Sequence, residues 1–352
     1  MTDFDAPTSL WTKVLTVEAS LWMGRVHLLG QQTFILIGWY AAVAPDGTPD
    51  PLPLIGLCTF LFFGFVALQI LNDVKDVEGD RITAPYLPLP SGLLSVRTAA
   101  RLAVAYMGVG LLALLLTLPH LFWVVVILAT TGAAAGILVA YSKLKGQGVL
   151  ASAIITVAFA LPLLWAWFVA GGGDPIVLVT LVFYTQVTYF SGNIIAALHD
   201  VDLDERAGNT TFPVRVGAPR AFRFMVGVAG VGWLLVPVIA LLGPYGMWAL
   251  PFIVPGLALL AVSYRRMLRT LQVPDRGRLR RIDDLGPMKV SDQFRNAAVL
   301  AVFAPWVALV AFAVIQAIAW SGHYLYMWRI VRGGLVRSLA QETGAGLPGP
   351  DR

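Results

Sequence analysis

Residues 52–80 read LPLIGLCTFLFFGFVALQILNDVKDVEGD. An apolar run of membrane-span length, Leu52 to Leu71, delivers Asn72-Asp73-Val74-Lys75-Asp76-Val77-Glu78-Gly79-Asp80, with four carboxylates in eight residues. On a continuing helix, about 100° per residue puts Asp73, Asp76 and Asp80 within about 60° of one another on one face, while Glu78 points away. Clustered carboxylates repel and resist ionising unless a cation joins them. A hard divalent ion with oxygen ligands is the natural partner.

A second acidic segment, His199-Asp200-Val201-Asp202-Leu203-Asp204-Glu205, closes another apolar run, Ile176 to Leu198. Asp200 and Asp204 are i,i+4 and share a face of a helix, with Asp202 on the far side. Asp76 and Asp200 are 124 residues apart, as are Asp80 and Asp204. Two such clusters suit Mg2+ ions with a diphosphate between them, because Mg2+ favours few carboxylates plus phosphate oxygens. A solvated loop ending a span explains one cluster; ionisable groups at matched ends of two membrane helices point to function.

Of 352 residues, 58% are hydrophobic and 13% charged, and the mean hydropathy is +0.75. These values exclude a soluble domain and indicate an integral, all-α membrane protein. The start is polar and amphipathic, with no short apolar core followed by a cleavage site, so no cleavable signal peptide is expected. The net charge of +5 reads as membrane orientation, not nucleic-acid binding. The single cysteine, Cys58, lies inside an apolar run and excludes intrachain disulfides, CxxC redox chemistry and cysteine-rich zinc sites.

Taken in order, residues 1–24 form an interfacial amphipathic helix on the cytosolic side. Nine transmembrane helices follow over residues 25–320, at about 27–44, 52–71, 98–118, 121–141, 149–170, 176–198, 219–242, 247–264 and 296–320. The loops include a proline-rich one, Arg81 to Val96, and a basic one, Arg265 to Arg295. Residues 321–352 read as an interfacial segment and a disordered tail. Of the 25 Lys and Arg residues, 21 fall at span ends on the N-terminal side, and the other four in the tail. The positive-inside rule then places the N-terminus and both acidic segments in the cytoplasm. Arg outnumbers Lys 20 to 5, which with abundant Ala, Gly and Val points to a GC-rich bacterial genome and a bacterial cytoplasmic membrane. Helices one to four and five to eight form a weak parallel repeat, each with its acidic segment after its second helix.

These residues resemble the UbiA superfamily of intramembrane prenyltransferases. Asn72-Asp73-x-x-Asp76-x-x-x-Asp80 is similar to its first signature, and Asp200-x-x-x-Asp204-x-x-x-Gly208-x-x-Thr211-x-Pro213-Val214 to its second. Ile82, Pro85-Tyr86, Pro88 and Pro90-Ser91-Gly92 resemble the loop of the chlorophyll-synthase and archaeal-lipid branches. Arg25-Val26-His27 is similar to an early R-P-H, and Tyr141-Ser142 with Lys143 and Lys145 to a Y-S…L-K segment shortened by about two residues.

The resemblance implies nine helices around a central cavity and Mg2+-dependent chemistry on a prenyl diphosphate whose tail lies among the helices. Asp73, Asp76, Asp80, Asp200 and Asp204 would hold Mg2+, with Asn72 orienting metal or diphosphate. Arg25, Tyr141, Lys143, Lys145 and Arg206 would contact the substrate, the cations through its phosphate oxygens. Aromatic residues in and near the spans (Trp22, Tyr106, Trp165, Trp167, Tyr184, Tyr189, Phe190) are candidates to stabilise an allylic cation, Tyr189 and Phe190 foremost. Where the loop of the family has Arg, this chain has Leu87, which argues against a carboxylate-bearing aromatic acceptor and leaves room for a member with no separate acceptor. Three functions compete: a prenyltransferase, a terpene cyclase of the same superfamily that needs no acceptor, and a transporter using the acids as a cation path. The partners expected are the prenyl diphosphate and membrane lipid.

Overall fold

The computed structural model describes residues 50–83, 87–90, 92, 94–144, 148–199, 201–206, 208, 210–271 and 278–322. The helices expected over residues 1–24 and 27–44, and the tail from residue 323, lie outside the described residues. Every regular element described is helical. They are α1 (Pro51–Thr83), α2 (Val96–Thr117), α3 (Leu121–Leu144), α4 (Val149–Ala158), α5 (Leu161–Val169), α6 (Pro175–His199), α7 (Val201–Arg206), α8 (Phe212–Val216), α9 (Ala218–Leu242), α10 (Leu250–Leu271), α11 (Arg278–Phe303) and α12 (Pro305–Gly322), with a 3₁₀ turn at Gly246–Ala249. Six stretches are long and apolar enough to cross a membrane: Pro51–Glu78, Val96–Thr117, Ser152–Val169, Pro175–Leu198, Ala218–Leu242 and Gly246–Leu271. Leu121–Ile137 and Pro305–Val314 are apolar but shorter. The described residues thus confirm an all-α membrane protein without reaching a count of nine spans.

The chain folds as two compact units, one containing Thr59–Ala113 and the other Leu114–Ala313. In the first, α1 and α2 pack through Val66, Ala67, Ile70 and Val77 against Ala99 and Ala103. Gly110 lets the helices close, since a Cβ there would stand 3.2 Å from the Phe60 Cα. The connection folds back onto them: Leu94 N–H donates to the Pro88 carbonyl and Gly92 N–H to that of Leu89, at 3.0 and 3.1 Å. Leu89 and Leu94 are buried in the same core as Val77. Ser95 starts α2 by accepting a hydrogen bond from Thr98 N–H through its Oγ at 3.1 Å, satisfying one otherwise orphaned donor.

In the second unit, α6 pairs with α9, and α10 forms a hairpin with α11. Two expectations fail here. The basic loop read over Arg265 to Arg295 is instead the end of α10 and most of α11, and Ser291, Asp292, Gln293, Arg295 and Asn296 are buried. The single span expected over 296–320 is divided, because α11 stops at Phe303 and α12 starts at Pro305. Proline has no N–H to give back and its ring crowds the preceding turn. The span expected over 149–170 is borne out as the apolar stretch Ser152–Val169, whose helix changes from α4 to α5 with Pro162 in the first turn of α5.

Candidate active site

Helix α1 runs without interruption from the apolar stretch through the first acidic segment. Its inward face decides where the carboxylates lie. Asp73 and Asp80 follow buried Val66 at seven-residue steps, which keeps them close to the same azimuth. Asp73, Asp76 and Asp80 are half-buried, while Leu71, Asn72, Lys75, Glu78 and Arg81 are exposed. The helix therefore sorts its acids. Three share a half-buried face, and Glu78 is exposed in a contact with Arg81, both oxygens 2.9 Å from Nη1. This is the segregation expected of the spacing, and it is not what a solvated acidic loop shows. Asn72 reaches one turn along to donate through Nδ2 to Asp76 Oδ2 at 3.2 Å, which fixes that carboxylate's rotamer.

The second acidic segment belongs to the other unit. The end of α6 is anchored by Ile194, Ile195 and Leu198, packed with Ala221, Phe222 and Met225 of α9, Met267 of α10 and Met288 of α11. Asp200 lies outside the described residues; α7 follows it with Val201 buried, Asp204 half-buried and Glu205 exposed. Gly208, at φ 71, turns the chain back in a left-handed conformation that suits glycine. That turn brings Thr211 to Asp204, and the Thr211 hydroxyl donates to Asp204 Oδ2 at 3.1 Å. The spacing Asp204-x-x-x-Gly208-x-x-Thr211 is thus a self-contained device: a carboxylate, a turn and the hydroxyl that orients the carboxylate.

Among the described residues, no three His, Cys, Asp or Glu side chains form a group able to hold a metal ion by themselves. The carboxylates of α1 form a row along one helix, not a cage. Of the other expected site residues, Tyr141 and Lys143 lie on α3 and Arg206 ends α7; Arg25 and Lys145 lie outside the described residues. Tyr189 is half-buried and stacks on Phe159, centroids 4.2 Å apart and planes at 11°. Phe190 packs edge-on against Phe224 at 6.1 Å and joins the core that anchors α6. Tyr106 stacks on Phe63, and Trp165 Nε1 donates to the Thr130 hydroxyl at 2.8 Å.

The expectations drawn from the residues missed a buried polar cluster. Arg295 Nη2 lies 2.9 Å from Asp292 Oδ1, and Nη1 donates to the Ala229 carbonyl at 3.1 Å. The Tyr184 hydroxyl donates to Asn296 Oδ1. The available signal was the i,i+3 Asp–Arg pair beside the unbroken apolar run Ala297–Phe303.

The model of the UbiA prenyltransferase family matches residues 33–283. The digeranylgeranylglyceryl phosphate synthase of Halobacterium salinarum is 32% identical over 245 residues, covering 68% of this chain and 84% of that protein. The protein of the same name from Sulfolobus acidocaldarius is 28% identical over 210 residues, covering 58% and 71%. Among solved structures, a UbiA homologue from Archaeoglobus fulgidus bound to GPP and Mg2+ aligns with a TM-score of 0.53 at 18% identity, over 82% of this chain and 99% of that one. The apo UbiA homologue from Aeropyrum pernix K1 aligns with a TM-score of 0.51 at 16% identity, over 82% and 98%. These two likenesses show the fold. The relatives named here are archaeal, so the bacterial membrane suggested by composition draws no support from them. With the family model matching residues 33–283 and the helical fold shared, the chain belongs to the UbiA prenyltransferase family.

Proposed function

We propose that this chain is an intramembrane prenyltransferase that ionises an isoprenyl diphosphate with Mg2+ and joins the prenyl group to a hydroxyl-bearing acceptor of the prenylglyceryl phosphate class. The observation that carries the reading is the sorting of carboxylates on α1, where Asp73, Asp76 and Asp80 are half-buried and Glu78 is exposed. The donor set fits Mg2+: a row of hard carboxylate oxygens, of which each ion would take one or two, leaving coordination positions for water and phosphate. Asp73, Asp76, Asp80, Asp200 and Asp204 would hold it, both motifs being required. Bound there, Mg2+ neutralises charge on the departing diphosphate.

The protein's own residues do the rest. Asn72 holds Asp76 in one rotamer, and Thr211 does the same for Asp204. Lys143 and Arg206 are proposed to contact diphosphate oxygens, which ammonium and guanidinium groups suit. The bond from the allylic carbon to the diphosphate oxygen breaks, its electron pair leaving with diphosphate. An oxygen of the acceptor then bonds that carbon and gives up its proton to the released diphosphate. The acceptor class comes from the named relatives, whose product joins prenyl groups to glyceryl phosphate. Leu87 agrees with it, because the cation that would meet an aromatic carboxylate is missing. The charge distribution supports a cytoplasmic position for both acidic segments.

The test is product analysis over a ladder of prenyl diphosphates with Mg2+, with and without geranylgeranylglyceryl phosphate. The expected result is diphosphate release that depends on the acceptor and an ether-linked product. A hydrocarbon or terpene alcohol formed without acceptor would instead establish the cyclase alternative.

A further inference from the structure

Helix α11 carries the most polar interior segment described, Ser291-Asp292-Gln293-Phe294-Arg295-Asn296, between apolar helices. Arg295, Asn296, Ser291 and Tyr184 are fully buried at 0% exposure, and Asp292 is at 4%, so water does not solvate these charges. The cluster joins three helices. Arg295 pairs with Asp292 on its own helix and donates to the Ala229 carbonyl on α9. Its guanidinium carbon stands 5.9 Å from the centroid of the Tyr184 ring on α6 and 6.0 Å from that of Trp233 on α9. Tyr184 closes the circuit by donating to Asn296. Gly232 makes room, because a Cβ there would meet Arg295 Nη1 at 2.7 Å.

This arrangement is a poor device for stability. Arg295 Nε, Asn296 Nδ2 and Trp233 Nε1 are buried without a hydrogen bond among the described residues. A partly satisfied buried network costs more than an apolar core would. What such a network supplies is register. An apolar interface slides with little loss, whereas directional bonds between buried groups hold at one axial and rotational setting. The helix so held is α6, whose far end leads into Asp200 and Asp204. Fifteen residues separate Tyr184 from His199, about 22 Å along a helix at about 1.5 Å per residue.

We propose that the buried Tyr184–Asn296–Arg295–Asp292 cluster is a positioning device that sets the axial and rotational register of α6, and with it the second acidic segment. The link to metal and diphosphate rests on the function proposed above; the alignment itself does not.

The test uses spin labels at Ala196→Cys on α6 and Arg220→Cys on α9, both exposed sites, in a Cys58→Ser background of the full chain. Pulsed electron paramagnetic resonance reads their separation in lipid nanodiscs. The parent is expected to give one narrow distance. Tyr184→Phe combined with Asn296→Leu is expected to broaden or move it by roughly 1.5–5 Å, the scale of helix shifts. Tyr184→Phe alone removes only the hydroxyl, and decides the matter if the double variant fails to fold. An unchanged distance in a folded variant overturns the proposal. Without labels, the same variants are expected to need about tenfold more Mg2+ for half-maximal turnover, as misplaced supporting groups do in metal sites. A moved helix with unaltered Mg2+ demand and turnover overturns the link to the site. A moved helix in a protein whose parent releases no diphosphate supports the alignment and overturns the enzymatic reading instead.

Discussion

Replacing Asp76 by Asn and Glu78 by Gln changes the same charge by the same chemistry two residues apart, yet opposite outcomes are expected. Asp76 is half-buried and receives the Asn72 amide at 3.2 Å. Glu78 has its side chain 76% exposed and is occupied with Arg81 at 2.9 Å. On the proposed reading, Asp76→Asn removes an anionic oxygen that would hold the Mg2+ facing the departing diphosphate, a loss of about 10²–10³ in turnover. Glu78→Gln removes an exposed ion pair worth about 0–1 kcal/mol to folding and nothing to the site, so turnover is expected within about twofold of the parent. Folding is not the cause of the difference, because both changes are isosteric. The assay is pyrophosphate release from geranylgeranyl diphosphate in nanodiscs with saturating Mg2+ and acceptor, with thermal unfolding of each variant as a control. Equal losses in the two variants, or near-normal turnover in Asp76→Asn, would refute the face assignment on which the site is built.

Two further outcomes follow from the geometry. Thr211→Val keeps the shape of the side chain but removes the hydroxyl that donates to Asp204 at 3.1 Å; about a tenfold fall in turnover is expected, from a bond to a charged group worth about 1.5 kcal/mol, with little change in unfolding temperature. Arg295→Met strands Asp292 in the interior and is expected to lower stability in a denaturant titration by about 3–5 kcal/mol, whereas Asp292→Leu with Arg295→Met is expected to recover most of that loss. A double variant as unstable as the single one would show that the pair is not what the loss reports.

The parts of the fold that were legible are those where one physical term dominates. In α1, the apolar run sets the helix and the 100° step sets the acid face, so the sequence alone groups Asp73, Asp76 and Asp80 and separates Glu78. The segment 265–295 misled for a definite reason. Its density of Arg and Lys reads as solvent, whereas the i,i+3 partner Asp292 and the Ala229 carbonyl make burial of the Arg295 guanidinium tolerable. Proline was ambiguous. Pro162 and Pro305 stand where apolar runs are interrupted, while Pro237 and Pro255 stand inside the uninterrupted helices α9 and α10. A missing N–H does not decide between kink and break, because packing of the next turn does. The Thr211–Asp204 bond was within reach: a glycine four residues after the acid, and a hydroxyl three later, is the pattern of a chain returning on itself.

The row of carboxylates on α1 has a thermodynamic consequence. A cage of three or four converging acids binds its ion before substrate arrives and then competes with the phosphate oxygens for it. On the proposed reading, Asp73, Asp76 and Asp80, spaced along one helix, would form a weak site completed by Asp200, Asp204 and oxygens of the diphosphate. The affinity for Mg2+ then rises when diphosphate binds, and by linkage the affinity for diphosphate rises with Mg2+ by the same factor. Loss of the diphosphate from the site then weakens the hold on the ion as well, so both leave together. On that reading, Mg2+ affinity measured without diphosphate is expected to be weaker than with it, and calorimetry giving equal affinities would refute the coupling.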